Sequence, residues 1–98
     1  MPKFVFLYTG GGTPESEEEG KRLMAAWQGW LAGLGDAAVD RGNPFGASAS
    51  ASGGATSGIS GYTIVEAGSL DEAVGKTRGC PLLEGGRGNV EVYEAIPM

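Results

Sequence analysis

A chain of 98 residues is one domain's worth of polypeptide, enough for a single core and no more. Hydrophobic residues make up 41%, which excludes general disorder, and the net charge is −5, from 7 basic against 12 acidic side chains. The basic residues are scattered, which argues against a nucleic-acid partner, and the absence of histidine removes imidazole acid–base chemistry and the commonest metal ligand.

Lys3 to Thr9 reads as a strand with two apolar faces, Val5 and Leu7 on one and Phe4, Phe6 and Tyr8 on the other. The apolar run Phe4–Tyr8 is too short for a signal-peptide core, and no window reaches the roughly 18 apolar residues of a membrane span. With its single cysteine, Cys80, the chain has no intrachain disulfide to make, which agrees with a reducing, cytoplasmic location. Gly10-Gly11-Gly12 ends the strand. It is not a phosphate loop, because Gly-Lys-Ser/Thr is missing at the required offset and the next turn is strongly acidic.

A helix follows, with two overlapping start signals: Thr13-Pro14 as cap and first residue, and Ser16 with Glu19 as a capping box. Glu15, Glu17, Glu18 and Glu19 match the positive end of the helix dipole, so the acidic run reads as a solvated first turn rather than a metal site. Leu23, Trp27, Trp30 and Leu34 recur at helical spacing, widened by Met24 and Leu31. Gly29 and Gly33 are expected where the helix comes close to a sheet, and Gly35 stops it.

Ala38-Val39 predicts a short strand, and Gly42-Asn43-Pro44 a turn. Residues 46–58 are almost all Ala, Ser, Gly and Thr and predict a loop within the single domain 1–98. Ile59 to Ala67 is the next strand, β-branched or apolar on both sides. Ser69-Leu70-Asp71-Glu72 is a second capping box, opening a helix whose inner face is expected to be Leu70, Ala73, Val74 and Thr77. After Gly79-Cys80-Pro81 and a glycine-rich connection, Asn89 to Met98 alternates cleanly enough to suit a sheet edge.

The order β-α-β-β-α-β predicts an α+β, ferredoxin-like sandwich: a four-stranded antiparallel sheet with the first and third strands central and both helices on one face. The other face is then expected to expose Phe4, Phe6 or Tyr8, to be covered by a symmetric second copy.

The segments Gly61-Tyr62-Thr63-Ile64-Val65-Glu66-Ala67-Gly68-Ser69-Leu70-Asp71-Glu72-Ala73-Val74, Gly79-Cys80-Pro81-Leu82-Leu83-Glu84-Gly85-Gly86 and Val90-Glu91-Val92-Tyr93-Glu94 are similar to the third strand, second helix and last strand of the YCII-related family. The opening strand and the tryptophan-bearing helix fit it too. The resemblance implies a homodimeric α/β barrel, with a pocket near the segment after the second strand. One branch of that family carries Asp-Gly-Pro-Phe, where this chain has Gly42-Asn43-Pro44-Phe45. Another carries a His–Asp pair that this chain cannot supply.

Two functions follow as expectations. The first is a non-catalytic or small-molecule-binding homodimer, needing no cofactor or metal. Its cavity would be lined by Trp27, Tyr8, Phe45 and Tyr62, with Arg41 and Asn43 beside it. The second is a metal-independent isomerase or lyase acting on a small organic acid, with Asp40 or Tyr8 moving the proton and Arg41 holding a carboxylate. Each residue also has a plainer role: Asp36, Asp40, Arg41 and Asn43 in loop solvation, Trp27 and Trp30 in the core, and Tyr8 and Tyr62 as core residues with a wet hydroxyl. Cys80, at the negative end of a helix dipole, is not expected to be a nucleophile.

Overall fold

The computed structural model describes residues 1–11 and 14–98. Its elements run β1 (Lys3–Gly10), α1 (Glu17–Leu34), β2 (Ala38–Asp40), β3 (Ile59–Glu66), α2 (Leu70–Lys76) and β4 (Gly88–Ala95), with 3-10 turns at Gly35–Ala37 and Pro81–Gly86. The strands form one antiparallel sheet in the order β2-β3-β1-β4, so the first and third strands are central and β4 lies at an edge, an α+β arrangement compatible with the ferredoxin-like pattern. No helix among the described residues is long and apolar enough to cross a membrane.

The caps act as the sequence suggests. Ser16 and Ser69 are the N-caps of α1 and α2, and their hydroxyls accept from the amides of Glu19 and Glu72. The competing cap at Thr13 lies outside the described residues. Gly35, at φ 57°, closes α1. Residues 46–58 hold no helix or strand.

The core sits on the face of β1 that carries Phe4, Phe6 and Tyr8. These are 1%, 0% and 7% exposed and cluster with Val65, Ala67, Ala73, Cys80 and Leu82, against which Trp27, Trp30 and Leu34 of α1 pack. Trp30 stacks on Phe6 at 6.3 Å between ring centroids, and Trp27 meets Tyr8 edge-on at 5.0 Å. This corrects the expectation that these three aromatics would lie uncovered. Large rings fill a thick helix–sheet layer better than Val5 and Leu7 would, so the helices cover the aromatic face.

On β1, the face left open carries the smaller residues. Val5 stands opposite Ile64 on one side and Tyr93 on the other, and Leu7 opposite Tyr62 and Glu91. Phe45 stacks on the Tyr62 ring at 5.6 Å. Val5, Leu7, Tyr62 and Ile64 are half-buried by their neighbours alone, while Tyr93 and Phe45 are exposed.

Two further expectations are corrected. Gly29 and Gly33 do not approach the sheet, since a Cβ at either would meet nothing within 4 Å. Only Ala73 and Thr77 turn inward from the second helical segment, while Leu70 and Val74 are exposed, so the stripe buried is the narrow i, i+4 one.

Candidate functional site

Eighteen residues of α1 contribute no fully buried side chain. The helix spans the sheet at the end where β1 finishes and β3 begins, and a cavity of about 680 Å³ lies between them. That is within the usual range for small-molecule sites of roughly 300–1,000 Å³. Small residues on the sheet side leave the room: Gly10, Gly11 and Gly61 all line the space. From α1, Leu23, Trp27 and Leu31 form the opposite wall, and Leu82 closes one end, so the lining is mostly apolar.

The polar part of the cavity is concentrated at β3 and the segment after β2. Residues 41–44 run beside β3, with Pro44 bridging to Gly61 and the Phe45 amide donating to the Ser60 carbonyl at 2.8 Å. Gly42 is required here: its φ is 77°, and a Cβ would lie 1.6 Å from the Tyr62 carbonyl oxygen. This close crossing places Arg41 and Asn43 on the cavity wall. Arg41 is exposed and makes no ion pair among the described residues.

Deeper in, the Tyr8 hydroxyl donates to Thr63 Oγ1 at 2.6 Å, and Thr63 Oγ1 donates to the Arg41 carbonyl at 2.9 Å. Thr63 is fully buried, so both its polar capacities are met within the protein. Burial pushes the Tyr8 phenol up to about 12, outweighing the opposite pull of the Thr63 hydrogen bond. Tyr8 is therefore a neutral phenol at ordinary pH.

The mouth is edged by charge. Arg87 Nη1 donates to Glu19 Oε1 at 2.8 Å, and Arg22 faces Glu84 at 3.6 Å. The Arg87 guanidinium holds the Glu19 carboxyl below its usual range. These exposed pairs tie the first turns of α1 to the Pro81–Gly86 turn and to β4, and being solvated they add little stability.

Of the residues singled out from the sequence, Tyr8, Trp27, Arg41 and Asn43 line this cavity, and Tyr62 borders it while its ring lies on the open face against Phe45. Phe45 and Asp40 stand outside it. Phe45 lies on the Tyr62 ring, and the exposed Asp40 carboxylate accepts from the Gly42 amide at 2.8 Å and from the Tyr62 hydroxyl at 3.0 Å. The carboxylate is therefore solvent-facing and outside the cavity, without the burial that raises a carboxyl's pKa toward that of a general base. The same carboxylate raises the Tyr62 phenol, first by accepting its hydrogen bond and then by opposing a second negative charge. Trp30 belongs to the core and Trp27 to the wall, so the two helix tryptophans divide the roles expected of them.

Cys80 is 3% exposed and its thiol is pushed up to about 11 by burial. The thiol is raised as expected, but the cause is different. Cys80 precedes the Pro81–Gly86 turn as its N-cap, where backbone amides pull the thiol down and desolvation outweighs them. Among the described residues no three Cys, Asp or Glu side chains come together as a ligand set for a metal ion.

Thr63 and Leu82 were not recognisable as site residues beforehand. Thr63 carried one usable signal: a hydroxyl in the middle of a strand read as central must find a partner indoors. Leu82 gave none, because the sequence shows only an apolar residue in a glycine-rich connection. Comparison of the chain with family models, with curated proteins and with solved structures returns no match.

Proposed function

We propose that this protein is a YCII-related, homodimeric domain that binds a small molecule with an apolar body and an acidic group, without catalysing its turnover. The observation that carries this reading is the cavity beneath α1, walled by Trp27, Leu23 and Leu31 and lined also by Arg41, which makes no ion pair among the described residues. Apolar walls supply most of the affinity, and a few placed polar groups fix orientation. Arg41 suits a carboxylate because its planar fork can donate two parallel hydrogen bonds.

Support for the family comes from the resemblance, whose most specific segments form β3, α2 and the turn after Cys80. Support for the dimer comes from the open sheet face. Val5, Leu7, Tyr62, Ile64, Tyr93 and Phe45 form a continuous apolar patch there, rimmed by Lys3, Glu66, Glu91 and Asp40. A self-complementary patch of this kind fits a two-fold stack of sheets.

The test uses 1-anilinonaphthalene-8-sulfonate, an aromatic anion of suitable shape. Its emission should rise on binding, with energy transfer from Trp27. Leu31→Trp, which places a bulkier ring in the cavity, should abolish that signal. Undiminished binding by a folded Leu31→Trp variant would remove the cavity from consideration. Light scattering at micromolar concentration addresses the dimer separately, and a clean monomer mass would count against it.

A further inference from the structure

The polar end of the cavity has a fixed hydrogen-bond direction. A carbonyl oxygen can only accept, so the proton on Thr63 Oγ1 is committed to the Arg41 carbonyl. With its proton spent, Thr63 can offer Tyr8 only a lone pair, and the Tyr8 proton is committed in turn to Thr63. Two hydroxyls in series are thereby oriented by one backbone carbonyl. Tyr8, which lines the cavity, is left with its phenolic lone pairs and no proton for a visitor.

We propose that this chain makes the inner end of the cavity an acceptor-only subsite, so that the ligand presents a hydrogen-bond donor, a hydroxyl, to Tyr8 while its acidic group lies toward Arg41. The ligand class is thus an apolar-bodied hydroxy acid, not a keto acid or an ether acid of the same shape. This rests on the cavity being a ligand site, as argued above. Three features support it. Thr63 is fully buried, so no water competes for the chain. The Tyr8 ring is held edge-on between Trp27 and Trp30, which restricts where its hydroxyl can go. Burial keeps Tyr8 neutral, so ionisation does not alter the pattern. A carbonyl or ether oxygen brought to this position would face lone pair against lone pair, leaving two buried acceptors without a proton between them.

The test compares three probes of one shape: 4-hydroxyphenylacetate, 4-methoxyphenylacetate and 4-methylphenylacetate. Each is titrated against 1-anilinonaphthalene-8-sulfonate bound to the full chain. The hydroxy probe should displace it at least about tenfold more tightly than the other two. Tyr8→Phe should erase that preference, bringing the hydroxy probe down to the affinity of the methyl probe for the same variant. Thr63→Val frees the Tyr8 proton, and the methoxy probe should then gain severalfold over its binding to the natural chain. That gain is not expected from mere loosening of the core. Circular dichroism of each variant checks that it is folded, and the three-probe comparison on the natural chain stands even if Thr63→Val does not fold. Equal displacement by all three probes, or displacement by none, overturns the acceptor-only subsite while leaving the cavity in place. Failure of 1-anilinonaphthalene-8-sulfonate itself to bind overturns the cavity reading instead.

Discussion

The two faces of the sheet are built from the same kind of alternation and have different fates. On one, Phe4, Phe6, Tyr8, Thr63 and Val65 are sealed beneath α1 and α2; on the other, Val5, Leu7, Tyr62, Ile64 and Tyr93 have only each other. The strands do not differ in polarity between their sides, so apolar content alone could not say which side the helices would choose. On β1, volume decides it. The Phe4, Phe6 and Tyr8 rings reach across the gap between sheet and helix, while Val5 and Leu7, flanked by Tyr62 and Tyr93, suit a flat contact with another sheet.

The sharpest way to break this contrast is a matched pair of truncations. Phe6→Ala should cost about 3–5 kcal/mol, a large share of the roughly 5–15 kcal/mol expected for a domain of this length. Leu7→Ala, one position along and facing the other way, should cost far less in denaturant unfolding of the dissociated chain. Equal losses would mean that the open face is already part of a monomeric core.

Alkaline pH distinguishes the faces next. Burial raises Tyr8 to about 12 and Cys80 to about 11, above their unfolded values, so the unfolded state releases these protons first. Stability is therefore unaffected below about pH 9 and falls as pH rises through the folded values, by on the order of 2–3 kcal/mol for each group. Spectrophotometric titration should show Tyr62 and Tyr93 ionising before Tyr8. Tyr93 is exposed and Tyr62 half-buried, and each is raised mainly by its hydrogen bond to a neighbouring carboxylate, Glu91 and Asp40 respectively. Three tyrosines titrating together would mean that Tyr8 is not sealed.

A smaller effect is expected at the lid of the covered face. Ser16→Ala removes the α1 cap and should cost about 1 kcal/mol, read as a lower thermal midpoint. The least costly change to folding is Leu7→Lys. In the isolated chain it should cost no more than about 1 kcal/mol, because Leu7 is only half-buried and the Lys stem can carry its charge past its neighbours to water. Its effect is instead on assembly: a dimer held by the open face should become a folded monomer by light scattering. If Leu7→Lys leaves a dimer intact, the second copy sits elsewhere.

Much of the architecture was legible from local rules. Capping boxes at Ser16 and Ser69, the stop at Gly35 and the four strand patterns each depend on residues a few positions apart, so one sequence suffices to read them. The candidate site was legible in part. Tyr8, Trp27, Arg41 and Asn43 were picked out because aromatic and charged residues stand out against a small-residue background. Asp40 was picked out too, and it turned away from the cavity to bind Gly42 and Tyr62. Its direction depends on the irregular pairing between β2 and β3, which shifts between Ala38 and Asp40 and has no local signature.

By itself, then, the sequence determined the succession of elements, the central and edge strands and the acidic opening of α1, because backbone propensity, capping and alternation act over short stretches of chain. Only the tertiary structure decided which sheet face the helices would cover, that α1 would stand off the sheet to leave a cavity, and that Tyr8, Thr63 and the Arg41 carbonyl would join in one directed chain. Those outcomes depend on how side-chain volumes and hydrogen-bond partners meet across 22 and 55 residues of intervening sequence, and no local rule reaches that far.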